Sequence, residues 1–153
     1  DHLGLNDIEN LDDLGRVKSV VVKSIKNDGW AVLNASDDQC VKISKDLDCN
    51  VSFFSLDENN PIIVEHCKKG GIAAVYENGF ITIKKGDWKI RIEKVTTIPL
   101  TYGGKAKFMV ENVLAASLAA YLWGFKTELI KLSLETFIPV SYTHLTLPTS
   151  DLV

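Results

Sequence analysis

The stretch IAAVYENGFITIKKGDWKIRIEKV, residues 72–95, constrains the fold more than any other part of the chain. Asn78-Gly79 and Gly86-Asp87 stand between segments of alternating apolar and polar residues. Such dipeptides favour tight turns whose backbone twist suits antiparallel neighbours, so consecutive hairpins are predicted. Ahead of them the pattern differs. WAVLN and NVSFFSL are short apolar runs read as buried strands, and each precedes a helical segment. SDDQCVKISKDL has Ser36 or Asp37 as its cap, and a helix after Asn59-Asn60-Pro61 runs to Lys69 and stops at Gly70-Gly71. Strands alternating with helices, then hairpins, predict an α/β fold. Its core is a layered, mostly parallel sheet flanked by helices, with a small antiparallel sheet insert.

Beyond Gly103-Gly104, KAKFMVENVLAASLAAYLWG is helical in pattern and apolar nearly all round, which predicts burial. Gly124 ends it, and a second helix over residues 126–137 stops before Pro139. Near the start, Asp7 or Asn10 is available to cap a helix with apolar residues at positions 11, 14, 17, 21, 22 and 25. On a helical wheel Lys18 falls among Leu11, Leu14, Val22 and Ile25, while Arg16 and Lys23 fall opposite. An amine there is expected to be partly desolvated, which favours its neutral form. A neutral amine reacts with carbon dioxide to give a carbamate, a hard oxygen ligand suited to Mg²⁺. The alternative is a lysine that runs along the stripe's edge to water.

Composition narrows the function classes. With 153 residues, 46% hydrophobic, the chain suffices for one sizeable core. The net charge of −3 and scattered basic residues argue against a nucleic-acid surface. Cys40, Cys49 and Cys67 contain no CxxC pair, so neither a disulfide framework nor a zinc site is indicated, and a cytoplasmic home is expected. The apolar run at 113–123 is too short to cross a bilayer. The first residue is Asp1 and the single methionine is Met109, so a piece of a longer chain is expected. Residues 140–153, VSYTHLTLPTSDLV, have neither helical nor strand period and read as a non-native, adapter-derived tail. Tyr142 and His144 therefore receive no role. Asp37-Asp38 reads as a helix cap rather than a metal pair.

Asp1-His2-Leu3-Gly4 ahead of DLGRVKSVVV resembles the Mur ligase superfamily of ATP-dependent amide ligases. WAVLNASDD and GGKAKFMVENVLAA resemble a strand end and a buried helix of the same group. GGIAAVYENGFITIKKGDW and IPLTYGGKAKFMVENVLAA narrow the likeness to the branch that polymerises aspartate and arginine, in order over residues 1–139. The resemblance implies that ATP phosphorylates an aspartate side-chain carboxylate and that the arginine α-amine attacks the acyl phosphate. Mg²⁺ would neutralise the crowded charge.

By the same resemblance His2 is a Mg²⁺ ligand. Lys18 is a second ligand if carbamylated, or otherwise a cation toward phosphate. Asn112 faces the adenine of ATP, with a core asparagine bonded to backbone as the alternative. Phe108-Met109 stands where many relatives have His-Asn. No GxxxxGK[ST] phosphate loop occurs, and the resemblance places it ahead of Asp1. Residues 1–139 are thus expected to be a partial central domain, inert alone, of a homo-oligomeric cytoplasmic enzyme without nucleic-acid or membrane partners. Another Mur-type ligase, acting on a peptidoglycan precursor or folate, and a non-catalytic binding domain are the competing readings.

Overall fold

A computed structural model of the chain describes residues 10–140. Asn10 opens α1 (Leu11–Lys23): its side chain accepts the Asp13 amide, and Asp12 and Asp13 lie at the helix's positive end. The other cap that the sequence offers, Asp7, lies outside the described residues. After β1 (Trp30–Asn34), Asp37 caps α2 (Asp38–Ser44) by accepting the Gln39 and Cys40 amides. Next come β2 (Asn50–Ser55) and α3 (Pro61–Lys68). The α3 cap is Asn60, and Pro61 takes the first helical position, where a missing N–H costs nothing.

β3 (Ile72–Glu77), β4 (Phe80–Lys85) and β5 (Trp88–Lys94) form the expected meander. Asn78 and Gly79 adopt the left-handed φ values of 50° and 84° that a two-residue hairpin turn requires. Two 3-10 turns, Val95–Thr97 and Pro99–Thr101, lead into α4 (Lys107–Trp123). Gly124 ends α4 at φ 102°, and α5 (Thr127–Thr136) follows.

All five strands belong to one sheet in the order β1-β2-β3-β4-β5. β1, β2 and β3 are parallel, whereas β3, β4 and β5 are antiparallel. The expected α/β core is therefore present. Its hairpins continue the parallel sheet through β3, which pairs along its full length with β4, rather than standing apart from it.

Helices cover both faces. On one, Ala74, Ile81 and Ile83 pack with Val110, Leu114 and Leu118 of α4 and Ile130 of α5. On the other, Phe53, Ala73 and Val75 pack with Ile63 and Cys67 of α3, with Val22 partly buried against them. Among the described residues no helix is long and apolar enough to cross a membrane.

Two expectations are corrected. α4 is not buried all round: one face meets the sheet, while Phe108 and Trp123 are 60% and 84% exposed. Nothing among the described residues covers that outer face. In α1 the apolar stripe only partly sets the packing side: Val22 and the following Ile25 pack inward, but the rest of the described stripe does not. Val17, Val20 and Val21 are exposed, whereas Gly15 and Ser19 are buried. Close approach to α2 selects small residues: a Cβ at Gly15 would lie 2.9 Å from Gln39 Oε1. Lys18, expected to be partly desolvated, is consequently exposed.

Candidate functional site

Three parallel strands end on one edge of the sheet, the place where open α/β sheets bind ligands. Polar side chains fasten the loops there. Asn34, last in β1, donates to Glu111 Oε1 at 3.3 Å and accepts the Ser36 amide at 2.9 Å. The Ser36 and Ser55 hydroxyls are 3.2 Å apart, and Asn60 donates to the Ala35 carbonyl at 3.3 Å. These bonds tie the loop after β1 to the loop after β2, so the edge is preorganised rather than open coil.

The approach to α4 is the second wall. The Thr101 hydroxyl, fully buried, lies 2.6 Å from the Val95 carbonyl and 2.9 Å from that of Ile98, and it accepts the Gly104 amide at 3.2 Å. Tyr102, Gly103 and Gly104 are all left-handed, with φ of 52°, 71° and 83°. Tyr102 is one of only two such non-glycine residues among those described, and it is held there by this anchored turn. α4 then begins after Ala106 with no side-chain cap. Its first amides are left to solvent or a ligand, at the positive end of the helix and beside Lys107.

Between these walls lies a cleft of about 290 Å³, lined by Leu56, Tyr76, Gly104, Lys107 and Val110. It offers an apolar side, a phenol, an ammonium and an uncapped helix start. That set suits a molecule with a flat apolar part and an anionic part.

Lys18 is exposed on α1. Its charge reaches Cys40 in the first turn of α2, whose thiol is pushed up chiefly by burial and held back by backbone hydrogen bonding at Asn34 and by Lys18. Asn112 lies elsewhere. It is exposed, with Nδ2 3.9 Å from Met109 Sδ, and it borders an apolar cavity of about 320 Å³ with Ile98, Leu100, Val113 and Phe137. Five helical positions separate it from Lys107, which turns it about 140° away around α4. The expectation of a buried Asn112 amide is corrected accordingly. The structure does not bring Lys18 and Asn112 together, and His2 lies outside the described residues.

No three His, Cys, Asp or Glu side chains among the described residues are grouped to hold a metal. Sequence reasoning passed over Leu56, Tyr76, Lys107 and Glu111. The available signal was positional: Leu56 follows the last residue of β2, Tyr76 is next to last in β3, and Lys107 starts a helix after paired glycines.

Fold and edge together define an open α/β domain with a cleft at the ends of the parallel strands. The chain belongs to the Mur ligase family, matching its middle domain over residues 1–120. It is similar to cyanophycin synthetase of Geminocystis herdmanii, 45% identical over 139 residues, 91% of this chain and 16% of the relative. The cyanophycin synthetase of Trichormus variabilis is 47% identical over 137 residues, 90% of this chain and 15% of the relative. A UDP-N-acetylmuramate–L-alanine ligase of Clostridium novyi is 35% identical over 60 residues, 39% of this chain and 13% of that enzyme. The chain thus spans about one-sixth of the cyanophycin synthetases it matches.

Proposed function

We propose that this chain is the central, nucleotide-handling part of a cyanophycin synthetase. In this reading the whole enzyme is cytoplasmic and joins arginine to aspartate side-chain carboxylates at the expense of ATP. The supporting observation is identity of 45% and 47% to two such synthetases over nine-tenths of the chain. ATP transfers its γ-phosphoryl group to the carboxylate, and the arginine α-amine then displaces phosphate to form the amide. In the cleft at the strand ends, Lys107 and the open amides of α4 face the phosphates, while Leu56 and Tyr76 flank the less polar part of the nucleotide.

His2 and Lys18 are assigned to Mg²⁺ in this reading, Lys18 supplying an oxygen only once carbamylated, and Asn112 is assigned to adenine. The ion, when bound, neutralises charge on the phosphates. Residues 1–139 act as part of the central domain, with the phosphate loop supplied from elsewhere in the enzyme.

The test is arginine-dependent ADP release by the longer enzyme that carries this segment. Arginine should stimulate it and L-alanine should not. The likeness to the Clostridium novyi ligase favours one second reading, ligation to a peptidoglycan precursor. Stimulation by L-alanine with UDP-N-acetylmuramate in place of arginine would select it.

A further inference from the structure

α4 and α5 meet along a seam that holds two cavities of about 320 Å³ each. Ser117, Phe125, Leu129 and Ile130 line the first, and the second reaches Phe137. Ala116, Ser133 and Leu134 line both, so the two adjoin. From Leu129 to Phe137 they follow about 12 Å of helix. No charged side chain lines either one.

One polar group in the first cavity is unused. Hydroxyls on a helix commonly bond to a carbonyl of the preceding turn. Ser19, Ser44, Ser133 and Thr136 all do so, at 2.7–2.8 Å. Ser117 does not: its Oγ has no hydrogen-bond partner, although the residue is only 1% exposed. A buried hydroxyl left unpaired is destabilising, and a group from outside that bonds to it recovers the loss. Water fits poorly. A buried water needs about two to four polar partners. The other hydroxyl of this cavity, Ser133, has already given its hydrogen to the Leu129 carbonyl.

We propose that the seam between α4 and α5 binds a small neutral amphiphile, its hydroxyl or carbonyl oxygen bonded to Ser117 and its apolar chain running toward Phe137. The walls select this chemistry. A carboxylate or an ammonium would lose its hydration and meet no counter-charge. A hydrocarbon would fill the space but leave Ser117 unpaired. Asn112, which borders the second cavity, is exposed and is served by water, so the polar end belongs in the first. Ser117 also lies about 15 Å along α4 from Lys107, which separates this site from the cleft at the strand ends. The inference stands apart from the ligase reading, because it concerns binding at a second place and needs neither ATP nor turnover.

The experiment is an NMR titration of the 153-residue chain with n-octanol, following the Ser117 amide and the methyl groups of Ile130 and Leu134. Shifts that saturate together are expected. Octanoate, with the same chain length and a charged head, should bind at least ~10-fold more weakly. Ser117→Ala should weaken n-octanol by about 5-fold, the worth of one net hydrogen bond, and leave toluene, which has no oxygen, unchanged. Ala116→Phe, at an exposed position that lines both cavities, should abolish binding of both probes, with circular dichroism checking the fold. Val21→Ser removes an exposed valine on α1, away from the seam, and should change neither. Shifts that never saturate, octanoate as tight as n-octanol, unaltered n-octanol affinity in Ser117→Ala, or weakening by Val21→Ser would overturn the proposal. So would a dimer in sedimentation that Ala116→Phe dissolves, because the seam would then belong to a second copy of the chain.

Discussion

Alanine at Gly71 would place its Cβ 2.3 Å from His66 Nε2 and 2.5 Å from both neighbouring ring carbons. The His66 ring is held there from two sides. Nε2 lies 3.0 Å from the Ile72 carbonyl, and the ring meets Phe53 edge-on with centroids 5.2 Å apart. Relief of the clash requires the ring to swing away. Losing the hydrogen bond costs about 1 kcal/mol and losing the aromatic contact about 0.5–1 kcal/mol. Residual overpacking adds about 1 kcal/mol. Reduced freedom of the unfolded chain returns about 0.5–1 kcal/mol, so Gly71→Ala should destabilise by about 2 kcal/mol net.

Urea denaturation measures this, and a cycle with His66→Ala isolates the cause. With the imidazole gone the new methyl has room, so the double variant should be no less stable than His66→Ala alone. The coupling should be about 2 kcal/mol. A neutral Gly71→Ala, or penalties that simply add, would refute the reasoning.

The remaining expectations concern pH and packing. Burial, the largest influence, lowers the His66 pKa, so the folded chain prefers the neutral ring. Its stabilising contribution is therefore present above the ordinary imidazole range and is lost as pH falls through and below it. Denaturation midpoints at neutral and mildly acidic pH should show a drop in the wild type that is smaller in His66→Gln. Burial of Glu93 favours its neutral form, but a hydrogen bond shared with Glu135, whose own carboxyl is held protonated to higher pH, and bonds from the Lys94 amide, Thr97 and Lys131 outweigh it and bring the pKa down to about 2. Stability from Glu93 is thus present above the usual carboxylate range and lost as pH falls toward 2. Glu93→Gln should destabilise by about 1–2 kcal/mol at neutral pH, with the gap closing in acid. Leu114, fully buried between α4 and the sheet, should cost about 3 kcal/mol when cut to alanine in the same denaturation assay.

Local chemistry made much of the fold legible. Asn78-Gly79 specified a hairpin turn, Asp37 and Gly124 marked helix ends, and the apolar runs of β1 and β2 specified buried strands. The packing side of α1 was only partly legible: Val22 and Ile25 of the stripe pack inward, whereas Val17 and Val21 are exposed and backbone approach at Gly15 decides the contact with α2. The same limit applies to Asn112. Most of α4 around it is apolar, but exposure depends on what covers the outer face of α4, which the residues of the helix do not encode. At the strand-end cleft, Leu56, Tyr76 and Lys107 are far apart in sequence and meet only through the parallel order of β2 and β3 and the anchored turn at Thr101. Family likeness indicated a nucleotide and a metal, and topology supplied the cleft.

The central claim is tested by grafting residues 1–139 into the matching segment of the Trichormus variabilis cyanophycin synthetase and measuring arginine-dependent ADP release. With the grafted segment intact, arginine should stimulate release, and Lys18→Ala should reduce it by about 100-fold or more, the scale of losing a charge that acts on phosphoryl transfer. Release that proceeds equally well with and without the Lys18 amine, or that ignores arginine while the intact host enzyme responds to it, would contradict the account.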